Sequence, residues 1–280
     1  MLIRRISLVS LRSSRLAALL PILFLSSAIL FAQQPTPSPE GNRPVQPSTG
    51  KNSNTAFTAE QIVESTVFIY GFGGGRAVLD QIRKSAFERG KATLTNPDGR
   101  VDSISYQRWT RRGDKQETDQ IRFEQDFANA RYSLLYKDAK VIGIYNDSVF
   151  TPNADALRSF ENLHFRNIEA LLRYKENESR IELGEREKIM GVEFYVIDLT
   201  DKVERKTRFY ISVKSLRVMM LEYDDGGQKY RRRFYDYRNS QGTLVPFRTV
   251  LWAQDKIIEE SSIGTITFGQ KIDDAIFVSN

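Results

Sequence analysis

The chain contains no cysteine in 280 residues. That excludes disulfides, thiolate metal ligands and cysteine nucleophiles together. It also excludes lipidation at a lipobox cysteine. Histidine is almost as scarce, with His164 the single one. A histidine-based triad would have to be built on it, and no Gly-x-Ser-x-Gly elbow accompanies it. A histidine metal site would want further His or Cys ligands. His164 therefore reads as a helix-end or surface residue. Calcium-loop spacing is missing too, since Asp273-Asp274 is only a short terminal turn. Gly71-Phe-Gly-Gly-Gly75 lacks a preceding strand and a following Lys-Ser/Thr, so it reads as a helix-to-helix link and not as a phosphate loop.

What is present begins with an export signature. Arg4, Arg5, Arg12 and Arg15 form a basic start without acidic residues. Leu16 to Phe31 is apolar but too short to span a bilayer comfortably, and Ala32 offers a small residue for cleavage. Residues 1–32 are expected to be a cleaved signal peptide, with an uncleaved inner-membrane anchor as the alternative. Their loss leaves 248 residues and removes four arginines, which lowers the net charge from +6 to +2. The basic balance that would point to nucleic acid thus lies mostly in the export segment. Residues 33–56 are rich in Pro, Ser and Asn and nearly free of apolar side chains, the composition of a disordered linker.

One domain is expected over 57–280. Thr58-Ala-Glu-Gln61 is a capping box, and Ile62, Val63, Val67 and Tyr70 follow at near-helical spacing. A short helix over 76–84 comes next. Period-two patterning and frequent turns then predict strands over 100–110, 120–127, 130–136 and 141–145. Residues 153–176 return to helical spacing, with a break near 162–165. Further strands are predicted over 180–188, 192–199, 207–213, 218–223, 230–237, 244–253 and 257–268. Pro246 inside one of them signals an edge or a bulge. The predicted class is mainly β (α+β): about eleven antiparallel strands forming a strongly curved sheet or incomplete barrel, plugged by helices on its concave side.

Tyr230-Arg-Arg-Arg-Phe-Tyr-Asp-Tyr237 is the most conspicuous cluster. Alternation puts Arg231, Arg233, Tyr235 and Tyr237 on one face and Tyr230, Arg232, Phe234 and Asp236 on the other. Arg231, Arg232 and Arg233 are candidate contacts for a protein partner or for anionic lipid headgroups, and a solvated strand face is the plainer reading. The sequons at Asn146 and Asn177 matter only in a eukaryotic secretory route. No pair of carboxylates has spacing that points to a glycosidase.

The C-terminal half carries a family resemblance. Gly191-Val-Glu-Phe-Tyr-Val-Ile-Asp-Leu199 is followed by Phe209-Tyr-Ile-Ser212, Leu216-Arg-Val-Met-Met-Leu-Glu-Tyr223 and the Asp225-Gly-Gly227 turn. Phe234-Tyr-Asp-Tyr-Arg238, Gly242-Thr-Leu-Val-Pro-Phe247 and Asp274-Ala-Ile-Phe277 complete the order. This succession resembles the outer-membrane lipoprotein-sorting superfamily with its LolA/LolB-like fold. The resemblance implies an incomplete antiparallel barrel with a helical lid, and an apolar cavity that holds acyl chains.

The resulting expectation is a periplasmic, monomeric, non-enzymatic carrier of lipid or lipoprotein acyl chains that uses no cofactor or metal. Phe165, Ile168, Leu171 and Leu172 are the candidate lid residues, and core packing is the competing reading for each. The alternative function is an envelope scaffold or stress sensor that binds a protein. A hydrolase would need a polar cleft with convergent carboxylates.

Overall fold

The computed structural model describes residues 57–280 apart from 97, 129, 147 and 280. The signal read at 1–32 and the linker read at 33–56 lie outside the described residues. Thr58 caps α1 (Ala59–Tyr70): its hydroxyl accepts from the Gln61 N–H, and the Gln61 side chain accepts from the Thr58 N–H at 3.0 Å. Ile62, Val63, Val67 and Tyr70 form the inward stripe of α1, each at most 2% exposed. Gly73 and Gly75 then take φ of +85° and +65°, a region that suits glycine, and turn the chain into α2 (Gly75–Ile82). Arg76 fastens this link by donating to Leu172 O at 2.6 Å and to Glu64 at 2.7 Å.

A first meander runs through β1 (Ser85–Thr95), β2 (Val101–Arg111), β3 (Gln120–Asp126), β4 (Arg131–Lys137), β5 (Lys140–Tyr145) and β6 (Ser148–Phe150). After α3 (Ala154–Phe165) and α4 (Ile168–Leu172) comes a second. It contains β7 (Arg180–Leu183), β8 (Glu187–Ile189), β9 (Val192–Thr200), β10 (Lys206–Ser212), β11 (Val218–Asp225), β12 (Gln228–Ser240), β13 (Thr243–Ala253) and β14 (Lys256–Phe268). β1 pairs with β14, so the two meanders fuse into one antiparallel sheet of fourteen strands that does not close. β6 lies at one edge, while β7 and β8 both pair with β9 at the other. The chain must cross from edge to edge between β6 and β7. α3 and α4 lie in that connection.

Fourteen strands replace the expected eleven for three reasons. The predicted strand over 180–188 is split into β7 and β8. β6 is only three residues long. β1 was hidden because Ala86, Glu88 and Ala92, which line the space inside the sheet, are small or charged. The helical break comes slightly later than expected, at Arg166–Asn167, where Asn167 caps α4 by accepting from Ala170 N at 3.1 Å.

The alternation predicted for β12 holds for Tyr230, Arg232 and Phe234, which all face inward, and then fails. Asp236 has φ +53°, and the irregularity turns Tyr237 inward to meet Tyr70, hydroxyl to hydroxyl, at 2.9 Å. Pro246 faces Tyr237 across the ladder, so the proline sits beside an irregularity and not on an edge strand. The main core joins α1 and α4 to β9–β13, and a smaller one joins α3 to β3 and β4 through Phe160, Ile121 and Leu134. Among the described residues no helix is long and apolar enough to cross a membrane.

Candidate functional site

Side chains from β1–β4, from β11–β14 and from α3 and α4 border one shared space, a cavity of about 540 Å³. Strands so distant in sheet order can meet around it only because the sheet is strongly curved. Ile121, Phe123, Leu134, Phe160, Leu251 and Ile263 supply much of an apolar wall. Gly90 in β1 makes room for part of it: a β-carbon there would lie 2.5 Å from the Tyr106 ring. Tyr106 crosses that gap and donates to Glu88 at 2.7 Å.

One end of the cavity is charged and closely paired. Glu169, half-buried on α4, is gripped by both Arg83 and Arg112. Arg83 also donates to Thr243 Oγ1 at 2.9 Å and to Leu244 O at 2.7 Å, at the start of β13. Arg112 reaches Asp80 at 3.2 Å. Arg173 binds both oxygens of Asp119, at 3.0 and 2.9 Å, and donates to Gly113 O at 2.8 Å. Arg108 reaches Glu88 at 2.7 Å. Burial would raise the Glu169 pKa, but Arg112, Arg83 and Arg173 outweigh it and hold the carboxyl down at about 2. Glu169 is therefore ionised at neutral pH and has no proton to give. Burial pushes Asp119 up to about 6 against the pull of Arg173.

Arg232 differs from these. Its side chain is 8% exposed, and among the described residues its guanidinium makes no hydrogen bond; Glu259 is its ion-pair partner, at 3.8 Å. His164 is the penultimate residue of α3, so it does lie near a helix end, but it is buried and borders the cavity instead of lying on the surface. Its Nε2 meets the Gln116 carbonyl at 2.9 Å, which sets the neutral ring as the Nε2–H tautomer. Burial drives its pKa down to about 4. Among the described residues no group of three His, Cys, Asp or Glu is arranged to hold a metal ion.

The seven residues singled out in the sequence separate in space. Ile168 borders the cavity. Leu171 and Leu172 are buried in the main core with α1 and do not border it. Phe165 packs on the core formed by Ile121, Leu134 and Tyr136, with Arg205 over its ring at 4.0 Å. Arg231 pairs with Glu222 at 2.6 Å, and Arg233 lies over Trp252. Of the three consecutive arginines, Arg232 alone enters the cavity. The paired cluster escaped the sequence reading because Arg83, Arg112 and Arg173 lie far apart in the chain. The one local sign was Glu169, a carboxylate set among Ile168, Leu171 and Leu172.

No family model and no curated protein matches this sequence. Solved structures do. A DUF1329 family protein from Desulfovibrio piger superposes with a TM-score of 0.58 at 12% identity, over 80% of this chain and 98% of that one. A putative outer membrane lipoprotein-sorting protein domain from Vibrio parahaemolyticus gives 0.54 at 13% identity, over 77% and 97%. A LolA superfamily protein from Nitrosomonas europaea gives 0.52 at 16% identity, over 80% and 98%. Such identities speak for fold and not for activity. On the sheet, the helices that cross it and these superpositions together, the chain has a LolA-like fold.

Proposed function

We propose that the chain is an exported, non-enzymatic carrier in the periplasm that holds lipid or lipoprotein acyl chains between its sheet and its helices. The observation that carries this reading is the 540 Å³ cavity with its largely apolar wall. That volume falls within the range of small-ligand sites, roughly 300–1,000 Å³. Each methylene moved from water into such a wall contributes about 0.8 kcal/mol, so a chain of roughly fourteen carbons gains on the order of 10 kcal/mol before ordering costs. No reacting group is needed for that task. Of the carboxylates that border the cavity, Glu88, Asp119 and Glu169 are each tied to an arginine, which supports a binding role, and Glu259 lies 3.8 Å from Arg232. The basic, apolar and small order of residues 1–32 supports export. In this reading α3 and Ile168 form the lid, while Leu171 and Leu172 anchor it to the core.

The test is extraction of lipid from the protein purified out of a cell envelope, together with uptake of a fluorescent fatty acid. Lipid is expected in the extract, and Ala92→Trp, which fills the cavity from β1, is expected to abolish uptake. A wild-type chain that yields no lipid and takes up no probe would sink the carrier reading and favour a module that binds a protein partner.

A further inference from the structure

Arg232 has no evident structural reason to be where it is. A guanidinium removed from water is costly unless hydrogen bonds replace those it gave up. Two other buried arginines that border the cavity meet that requirement: Arg83 and Arg173 each donate to a carboxylate and to a backbone carbonyl. Arg232 has only Glu259, on β14 beyond Leu251 of β13, at a distance too long for a hydrogen bond. Arg232 borders the cavity, and among the described residues no group accepts a hydrogen bond from it.

The surroundings point to what would answer it. Tyr223 borders the same space, is buried, and among the described residues its hydroxyl makes no hydrogen bond either. Burial raises its pKa to about 12, so it remains a donor. Its ring stacks on Tyr230 at 5.1 Å. Arg158 on α3 is exposed, borders the cavity, and has no ion pair among the described residues. These donors lie toward the β11–β12 turn, since Arg232 is four residues past Gln228, where β12 starts. The paired cluster sits toward the opposite end of β12, beside Thr243 and Leu244. Between the two runs the apolar wall.

We propose that the ligand is an amphiphile with an anionic head, a phosphate or carboxylate on an alkyl chain, and that Arg232 and Tyr223 receive the head while the apolar wall takes the tail. This rests on the carrier reading and adds a ligand class to it. A guanidinium can grip such a head through two parallel N–H bonds, with Arg158 as the first positive charge the head meets.

The experiment is displacement of a fluorescent fatty-acid probe from the full chain by three competitors: dodecyl phosphate, dodecanol and inorganic phosphate. Dodecyl phosphate is expected to bind about tenfold more tightly than dodecanol or better, the effect of one charge-assisted contact. Inorganic phosphate is expected not to displace the probe. Arg232→Met should erase the preference and leave dodecanol binding within about twofold. Glu259→Gln should move it the other way and strengthen dodecyl phosphate alone, a gain that misfolding cannot produce. Equal binding of dodecyl phosphate and dodecanol to the wild type would overturn the proposal and leave the carrier reading standing. A preference that Arg232→Met does not reduce would overturn the assignment to Arg232. If neither alkyl compound binds, both readings fall.

Discussion

Two sets of arginines share the concave side of this sheet, and they differ in who answers them. Arg83, Arg112 and Arg173 are met by Glu169, Asp119, Asp80 and backbone carbonyls. They join α2, α4, the β2–β3 loop and the start of β13. Arg232 faces the same cavity with one carboxylate at 3.8 Å. Counting arginines therefore says little about the site. What separates an internal strut from a binding group is whether the fold itself satisfies the donors.

That contrast can be broken from either side. The largest effect is expected at the paired end. Glu169→Gln keeps the shape but removes the charge between two arginine side chains that are each 9% exposed. Loss of one partner from a buried ion pair typically costs about 3–5 kcal/mol. Because the exposed part of Glu169 opens into the cavity, the low end of that range is expected, read as a lower denaturant midpoint at unchanged slope. If stability stays within about 0.5 kcal/mol, the size of an ordinary surface substitution, the cluster is not the strut described here.

The next effect concerns His164 and its pH dependence. The ring titrates near 4 in the fold and at 6.5 in its unperturbed state. The unfolded chain takes up the proton first as pH falls, so this residue lowers stability progressively from about pH 6.5 to 4 and is neutral above that window. The full penalty is about 3 kcal/mol. His164→Gln should be free of it, and the gap between the two chains should widen in favour of the variant as acid is added. Comparing them isolates the histidine from Asp119, which burial raises to about 6 and which acts with the opposite sign. A gap that stays constant from pH 7 to pH 4 would show that His164 titrates in the fold as it does in the unfolded chain.

The same contrast explains what could be read from the sequence. The inward stripe of α1 was legible because Ile62, Val63, Val67 and Tyr70 serve one apolar core, which leaves a periodic trace. β9 to β14 were legible for the same reason, with clean turns between them. β1 was not, because the wall of a cavity asks for Ala86, Ala92 and Gly90 where a packed core would ask for large apolar groups. The site was harder still. Arg231, Arg232 and Arg233 are identical in sequence, and alternation separates them by face. Only the curvature of the sheet decides that the face of Arg232 borders a cavity. Past Asp236 even the alternation misled, since one positive φ is enough to turn Tyr237 inward.

The smallest expected effect on stability has the opposite sign from the first. Arg232→Met exchanges an unanswered, mostly buried cation for an apolar side chain of similar length. Replacing buried charges by well-packed apolar groups is often neutral or stabilising, so the ligand-free variant should melt at the same temperature or slightly higher, by up to about 1 kcal/mol in stability. Glu259 loses its neighbour in the exchange, but with 24% of its side chain exposed it can still reach water. A residue retained for ligand binding and not for folding should behave this way. A clear loss of stability on Arg232→Met would instead place Arg232 with Arg83 and Arg173 among the struts, and would remove the distinction on which its assignment as an anion receptor depends.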